Sequence, residues 1–124
     1  MRVPPFFAFG IDMAQTSVII YPESTTNLGS SATFTGSAKD FGTGGVPADF
    51  TFYRASAYSS SAGTLYIDFS ADGTNWYPAL TQAVTAAAAQ NVVVPITARF
   101  YRTRFVNSAS AQTAFLLASS CTTN

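Results

Sequence analysis

Catalysis and metal binding need residues that move protons, attack bonds or hold ions, and this sequence offers few of them. It contains no histidine among 124 residues, which removes a histidine general base, the Ser–His and Cys–His nucleophile pairs and nearly every zinc site. The carboxylates remain. Asp40 and Asp49 flank a glycine-rich loop, and Asp68 and Asp72 flank a turn. A glycosidase needs two carboxyl groups about 5–9 Å apart in a cleft. Asp72 is accounted for by its turn with Gly73, and Asp68 shares the polar side of a strand with Tyr66, so no acid pair is expected. An oxygen-only calcium site from Asp40, Asp49 and loop carbonyls lacks any loop signature. Gly42, Gly44 and Gly45 have no phosphate-loop Lys-Ser/Thr after them and read as a flexible connection. The expectation is a protein that is not an enzyme and has no cofactor and no metal.

The arginines and aromatics admit two readings. Arg102 and Arg104 lie on one side of a strand, with Arg54 on the outer face of another, and such a set could clamp a carboxylate or phosphate. They could instead pair with Asp68 and stack on Tyr66 or Phe52 across a sheet face, where cross-strand pairs stabilise modestly. The second reading is favoured. Trp76 and Tyr77 could form a sugar-stacking platform, but Trp76 directly after a turn reads rather as a lid on the core. The single cysteine, Cys121, excludes a disulfide within the chain and reads as an idle thiol near the C-terminus.

The elements that position these residues are strands. The length suits one domain, and 48% of residues are hydrophobic, enough for a core. Short alternating runs separated by Gly, Ser, Asn and Pro predict eight strands in an antiparallel β-sandwich. They fall at 17–21, ended by Pro22, then 32–38, 50–58, 64–70, 76–81, 92–96, 99–106 and 113–119. In 64–70, Leu65, Ile67 and Phe69 face the core while Tyr66, Asp68 and Ser70 face out. Tyr53, Ala55 and Ala57 share one side of their strand, Tyr101, Thr103 and Phe105 of theirs, and Phe115 and Leu117 of theirs. Ala86 to Ala89 favour helix intrinsically, but the segment is too short to hold one alone and reads as a loop. Asp72-Gly73 marks a hairpin, since glycine adopts positive φ without steric cost.

Charge narrows the partners. Only 10% of residues are charged, and six basic residues balance six acidic ones, against about 25% charged in an average domain. Nothing here favours nucleic acid or an anionic membrane, and no apolar run reaches the ~18 residues of a membrane span. Pro4-Pro5 interrupts the apolar start, which does not read as a signal peptide. A surface so poor in charge is either Ser/Thr-rich and soluble or covered by partners.

Three strings carry a family likeness: AGTLYIDFSADGTNWYPA, VPITARFYRTRFVN and AQTAFLLAS. They resemble small jelly-roll virion proteins of tailed bacteriophages, and the DGTNW and ARFYRTR stretches within them are similar to strands of discoidin-type sandwiches. The resemblance implies an eight-stranded jelly roll in a virion component, either a capsid decoration (cement) protein or a tail-associated module. Thr103 departs from it by replacing an apolar residue on the inner face, and the N-terminal arm has no counterpart.

The domain plan is therefore an arm at 1–15, a jelly-roll sandwich at 16–120 and a tail at 121–124. Val3, Pro4, Pro5, Phe6, Phe7 and Phe9 form an apolar segment whose paired prolines favour an extended chain. Fifteen extended residues reach about 50 Å, enough to bind a neighbouring subunit, and the bland reading has them pack on their own domain. The expected function is that of a capsid decoration protein on the virion exterior, a homo-oligomer bridging subunits of the major capsid protein. The rival is a carbohydrate-binding or receptor-binding tail module.

Overall fold

The computed structural model describes residues 18–42 and 50–123. The arm residues Val3, Pro4, Pro5, Phe6, Phe7 and Phe9, together with Gly44, Gly45 and Asp49, lie outside the described residues.

Among the described residues there are nine strands and no helix: β1 (Val18–Ser24), β2 (Thr33–Thr35), β3 (Lys39–Asp40), β4 (Phe52–Ser59), β5 (Gly63–Ser70), β6 (Tyr77–Val84), β7 (Gln90–Pro95), β8 (Phe100–Asn107) and β9 (Phe115–Thr122). One sheet runs β1-β9-β4-β7 and the other β2-β8-β5-β6, with β3 also on β8. All pairings are antiparallel. Because β5 occupies the other edge of β8, β2 and β3 act as one interrupted strand. Eight strands then lie in two antiparallel sheets in jelly-roll order, with β5 and β6 consecutive in one sheet. The sandwich is the one the alternation predicts, and its strand order is the one the family resemblance implies.

The core lies between the sheets. Tyr53, Ala55, Ala57, Leu65, Ile67, Tyr101, Phe105, Phe115 and Leu117 are all buried on the expected faces. Phe69 is half-buried against its margin. Thr103, the polar departure, is fully buried and hydrogen-bonded to the Tyr53 hydroxyl at 2.8 Å. That bond joins the two sheets and satisfies both hydroxyls.

Several boundaries differ from expectation. Pro22 does not end β1, because β1 is an edge strand and tolerates a residue without an N–H, the register shifting just after it. The run 32–38 breaks at Gly36, whose N–H still donates to the Thr103 carbonyl at 2.8 Å. β6 continues to Val84, and Ala87 then turns with φ 60. The connection after β5 is a six-residue loop, 71–76, rather than a tight hairpin, although Gly73 does take positive φ, at 80. Residues 121 and 122 are not tail. Cys121 is fully buried in β9, paired with Ile19 and Tyr53 across the sheet. Burial pushes its thiol pKa up, so it stays protonated at neutral pH.

A buried ion pair closes the edge where β1 and β3 meet. Lys39 Nζ donates to Glu23 Oε2 at 2.6 Å, both side chains being 4% exposed. Nζ also donates to the Ser37 carbonyl and sits 4.9 Å from the Tyr21 ring centre. Ser119 Oγ donates to the same carboxylate oxygen. A Cβ on Gly36 would come within 2.5 Å of Glu23 Oε1, so only glycine admits the carboxylate there. At one end of the sandwich a second polar cluster, Ser59, Ser61, Asn107 and Gln112, is buried and internally bonded. Asn107 Nδ2 donates to the carbonyls of Gly29 and Ser110 and so ties the loops.

Two outcomes are expected in urea unfolding. Ile67→Ala should cost about 2–5 kcal/mol as a buried truncation; a cost near zero would place Ile67 outside the core. Lys39→Met removes the cation from the buried Glu23 carboxylate and should cost about 3–5 kcal/mol, while adding Glu23→Gln should return part of it. A double variant no more stable than Lys39→Met would show that the pair is not coupled.

Candidate functional site

The outer face of the β2-β8-β5-β6 sheet carries the arginines. Asp68 on β5 lies opposite Arg102 on β8, and Tyr66 lies opposite Arg104. Arg104 reaches diagonally to Asp68, with Nε 2.8 Å from Oδ2 and Nη2 3.0 Å from Oδ1, and Arg102 Nε reaches Oδ2 at 3.1 Å. The guanidinium of Arg104 lies 3.9 Å from the Tyr66 ring centre, and that of Arg102 lies 4.4 Å from the Trp76 ring. Asp68 thus stays on the outward side of its strand yet is 1% exposed, buried beneath two cations rather than displayed. Desolvation pushes its pKa up, but the hydrogen bonds and charges of Arg104 and Arg102 outweigh it and hold the carboxyl below 3.8. Trp76 is no core lid: it stacks on Arg102 outside the sheet. The pairing reading of the arginines is therefore the observed one, and neither Arg102 nor Arg104 forms an anion clamp.

The other acids are similarly engaged. Asp40 forms a two-bond pair with Arg99, 2.9 Å for each bond, and accepts from the Gly42 N–H. Asp72 accepts from the N–H groups of Asn75 and Thr74, which hold its carboxyl well below the usual range. Asp68 is thus engaged by two arginines and Asp72 by the backbone of its own loop. Among the described residues no three acidic, cysteine or histidine side chains gather in a metal-sized group.

The opposite outer face, on β1-β9-β4-β7, has a different character. Register places Val18, Thr122, Phe52 and Pro95 in one row across the strands, and Ile20, Ser120, Arg54 and Val93 in the next. Beyond them come Pro22, Ala118, Ser56 and Asn91, then Leu116 and Tyr58. Arg54, packed over the Phe52 ring and donating to Thr122 Oγ1, is the one formal charge of these rows. The described residues include six large hydrophobics that are well exposed, and five lie here: Val18, Ile20, Tyr58, Val93 and Leu116, up to 69% exposed at Ile20. An open cleft of about 560 Å³ bordered by Pro22, Leu28, Phe34, Leu116 and Ala118 adjoins the face. A smaller one of about 220 Å³ opens at its middle between Arg54, Asn91, Val93 and Ser120.

A sequence signal for this face exists in Val18-Ile19-Ile20, Val92-Val93-Val94 and Phe115-Leu116-Leu117. These runs are apolar on both sides of their strands, as strands covered on two faces are.

The Asp68 cluster generates a pH prediction. A depressed folded pKa adds stability that is complete above the unfolded value of about 3.9 and is lost as pH falls through the lower folded value. The melting-temperature difference between the parent chain and Asp68→Asn should be largest near neutral pH and shrink below about pH 4. A difference independent of pH would show that the carboxylate charge is not what holds the two arginines.

Comparison with known proteins places this architecture. No curated protein sequence matches the chain. Among solved structures it is similar to the PBSX exported protein XepA, with a TM-score of 0.76 and 22% identity over 83% of this chain. The chain spans 36% of the length of that protein. It is also similar to the subunit of Bacillus endospore appendages, described as disulfide-linked pili, with a TM-score of 0.51 and 11% identity over 94% of this chain and 96% of that one. A family model described as the uncharacterised protein YqxG N-terminal domain matches residues 10–122. With nearly its whole length matched, the chain belongs to the YqxG N-terminal domain family.

Proposed function

We propose that this protein is a bacteriophage virion structural component, a capsid decoration protein on the particle exterior that binds and bridges subunits of the major capsid protein. The observation that carries the reading is the cluster of exposed Val18, Ile20, Tyr58, Val93 and Leu116 on the outer face of β1-β9-β4-β7, whose one formal charge is Arg54. Such a cluster is costly to leave in water and suits a surface covered in an assembly. The likeness to the phage-related exported protein supports the same setting. In this reading the protein acts by binding, without turnover, and the arm around Phe6, Phe7 and Phe9 contributes to attachment.

The rival, a carbohydrate-binding or receptor-binding tail module, draws less support. The Trp76 and Tyr66 rings each have one face against an arginine, which leaves them less free to stack on a sugar. A pilus subunit linked through disulfides draws less support too. Cys121 is the only cysteine, and reaching it requires opening β9.

Quantitative mass spectrometry of purified particles tests the proposal. A decoration protein should be present in fixed proportion to the major capsid protein, and Phe6→Ser, Phe7→Ser and Phe9→Ser together should lower that proportion. A copy number matching the tail appendages would favour the rival, and absence from the particle would overturn both readings.

A further inference from the structure

We propose that the apolar outer face of β1-β9-β4-β7 is the docking surface for a second copy of this chain, which covers it with its residues 1–17. The inference rests on the proposed assembly role and names the partner for one of its surfaces.

The face alone is too small for copies to hold together by stacking sheet on sheet. Four strands about 4.8 Å apart and about 20 Å long present roughly 400 Å², half of the ~800 Å² per partner that a stable interface buries. A further apolar element is needed. The chain supplies one directly before β1, where the first seventeen residues include Val3, Phe6, Phe7, Phe9, Ile11 and Met13. Apart from Arg2 and Asp12 this segment has no charged side chain, which suits a face whose one formal charge is Arg54.

Length and turn chemistry favour a neighbour over the segment's own sheet. Phe9 precedes Val18 by nine residues, about 30 Å of extended chain, and Phe6 by about 40 Å. β1 itself spans only about 20 Å, so an extended segment folded back along its own face would carry the aromatic rings past the end of it. Folding back also needs a sharp reversal just before Val18, yet residues 11–17 contain neither Gly nor Pro, the strongest turn formers. Continued away from its own domain, the segment reaches an adjacent one. In an extended strand Phe7 and Phe9 share a side, and the cleft beside Leu116, Pro22 and Phe34 offers an apolar socket of the kind that takes an aromatic anchor.

Sedimentation of the full-length protein across the micromolar range tests this. The parent chain should sediment above its monomer mass. Ile20→Lys with Leu116→Lys, which alters the face, should sediment as a folded monomer, and so should Phe6→Ser, Phe7→Ser and Phe9→Ser, which alter the segment. Mixed in equal amounts the two variants should associate again, because the intact segment of one meets the intact face of the other. Should lysine unfold the face variant by circular dichroism, Ile20→Thr with Leu116→Thr gives the same readout. A monomeric parent chain, a mixture that stays monomeric, or association that survives both sets of changes would overturn the proposal. So would a monomer whose β1 and β9 amides lose protection from exchange when the three phenylalanines are altered, since the segment would then cover its own domain. Self-association without particle binding would overturn the decoration role and leave this interface standing.

Discussion

The ion pair between Lys39 and Glu23 holds together the edge on which much of this molecule depends. It is the buried link between β1 of one sheet and β3 of the other, and such a pair is tolerated only when every polar atom is satisfied. The ammonium meets a carboxylate, a carbonyl and a ring face, and the carboxylate also accepts from Ser119. A Cβ at Gly36 would crowd the Glu23 carboxylate, so glycine leaves room for the pair at the break between β2 and β3. The same pair fixes the edge strand whose other side carries Val18 and Ile20. Tyr21, packed against the pair, is pushed up to about 12, by burial first and then by the neighbouring Cys121 and Glu23.

Charge economy connects the core to the surfaces. Glu23, Asp40 and Asp68 are all in ion pairs with Lys39, Arg99 and the two arginines of β8, while Asp72 is bound within its own loop. A sequence with so few charges that also turns them on one another presents little long-range field. Association of such a protein rests on shape and apolar burial more than on steering.

The two outer faces then divide the work. On β2-β8-β5-β6, arginines, aromatic rings and Asp68 form a closed, self-satisfied layer. On β1-β9-β4-β7, aliphatic side chains and two clefts are left facing out. A fold does not by itself assign a function; the contrast between these faces is what the proposed assembly role rests on.

The sequence alone determined the fold class and most of the core, because side-chain alternation with period two is a local property of a strand. Leu65, Ile67, Tyr101, Phe105 and Leu117 were legible for that reason, as was the Asp68–arginine pairing, since both strands show the residues on their polar sides. What the tertiary structure decided were matters of pairing between distant segments. Cys121 became core because β1 and β4 flank β9; Pro22 was accommodated because β1 lies at an edge; Trp76 left the core because Arg102, 26 positions on, offered its face. Lys39 and Glu23 carry no pattern that predicts burial, for a lone charge in a short run reads as exposed until the opposite sheet supplies its partner. The apolar outer face was written in the doubled hydrophobic runs, but only the order of strands gathers Ile20, Leu116 and Val93 from three separate segments onto one surface, since adjacency in a jelly roll is set by long crossovers rather than by sequence neighbours.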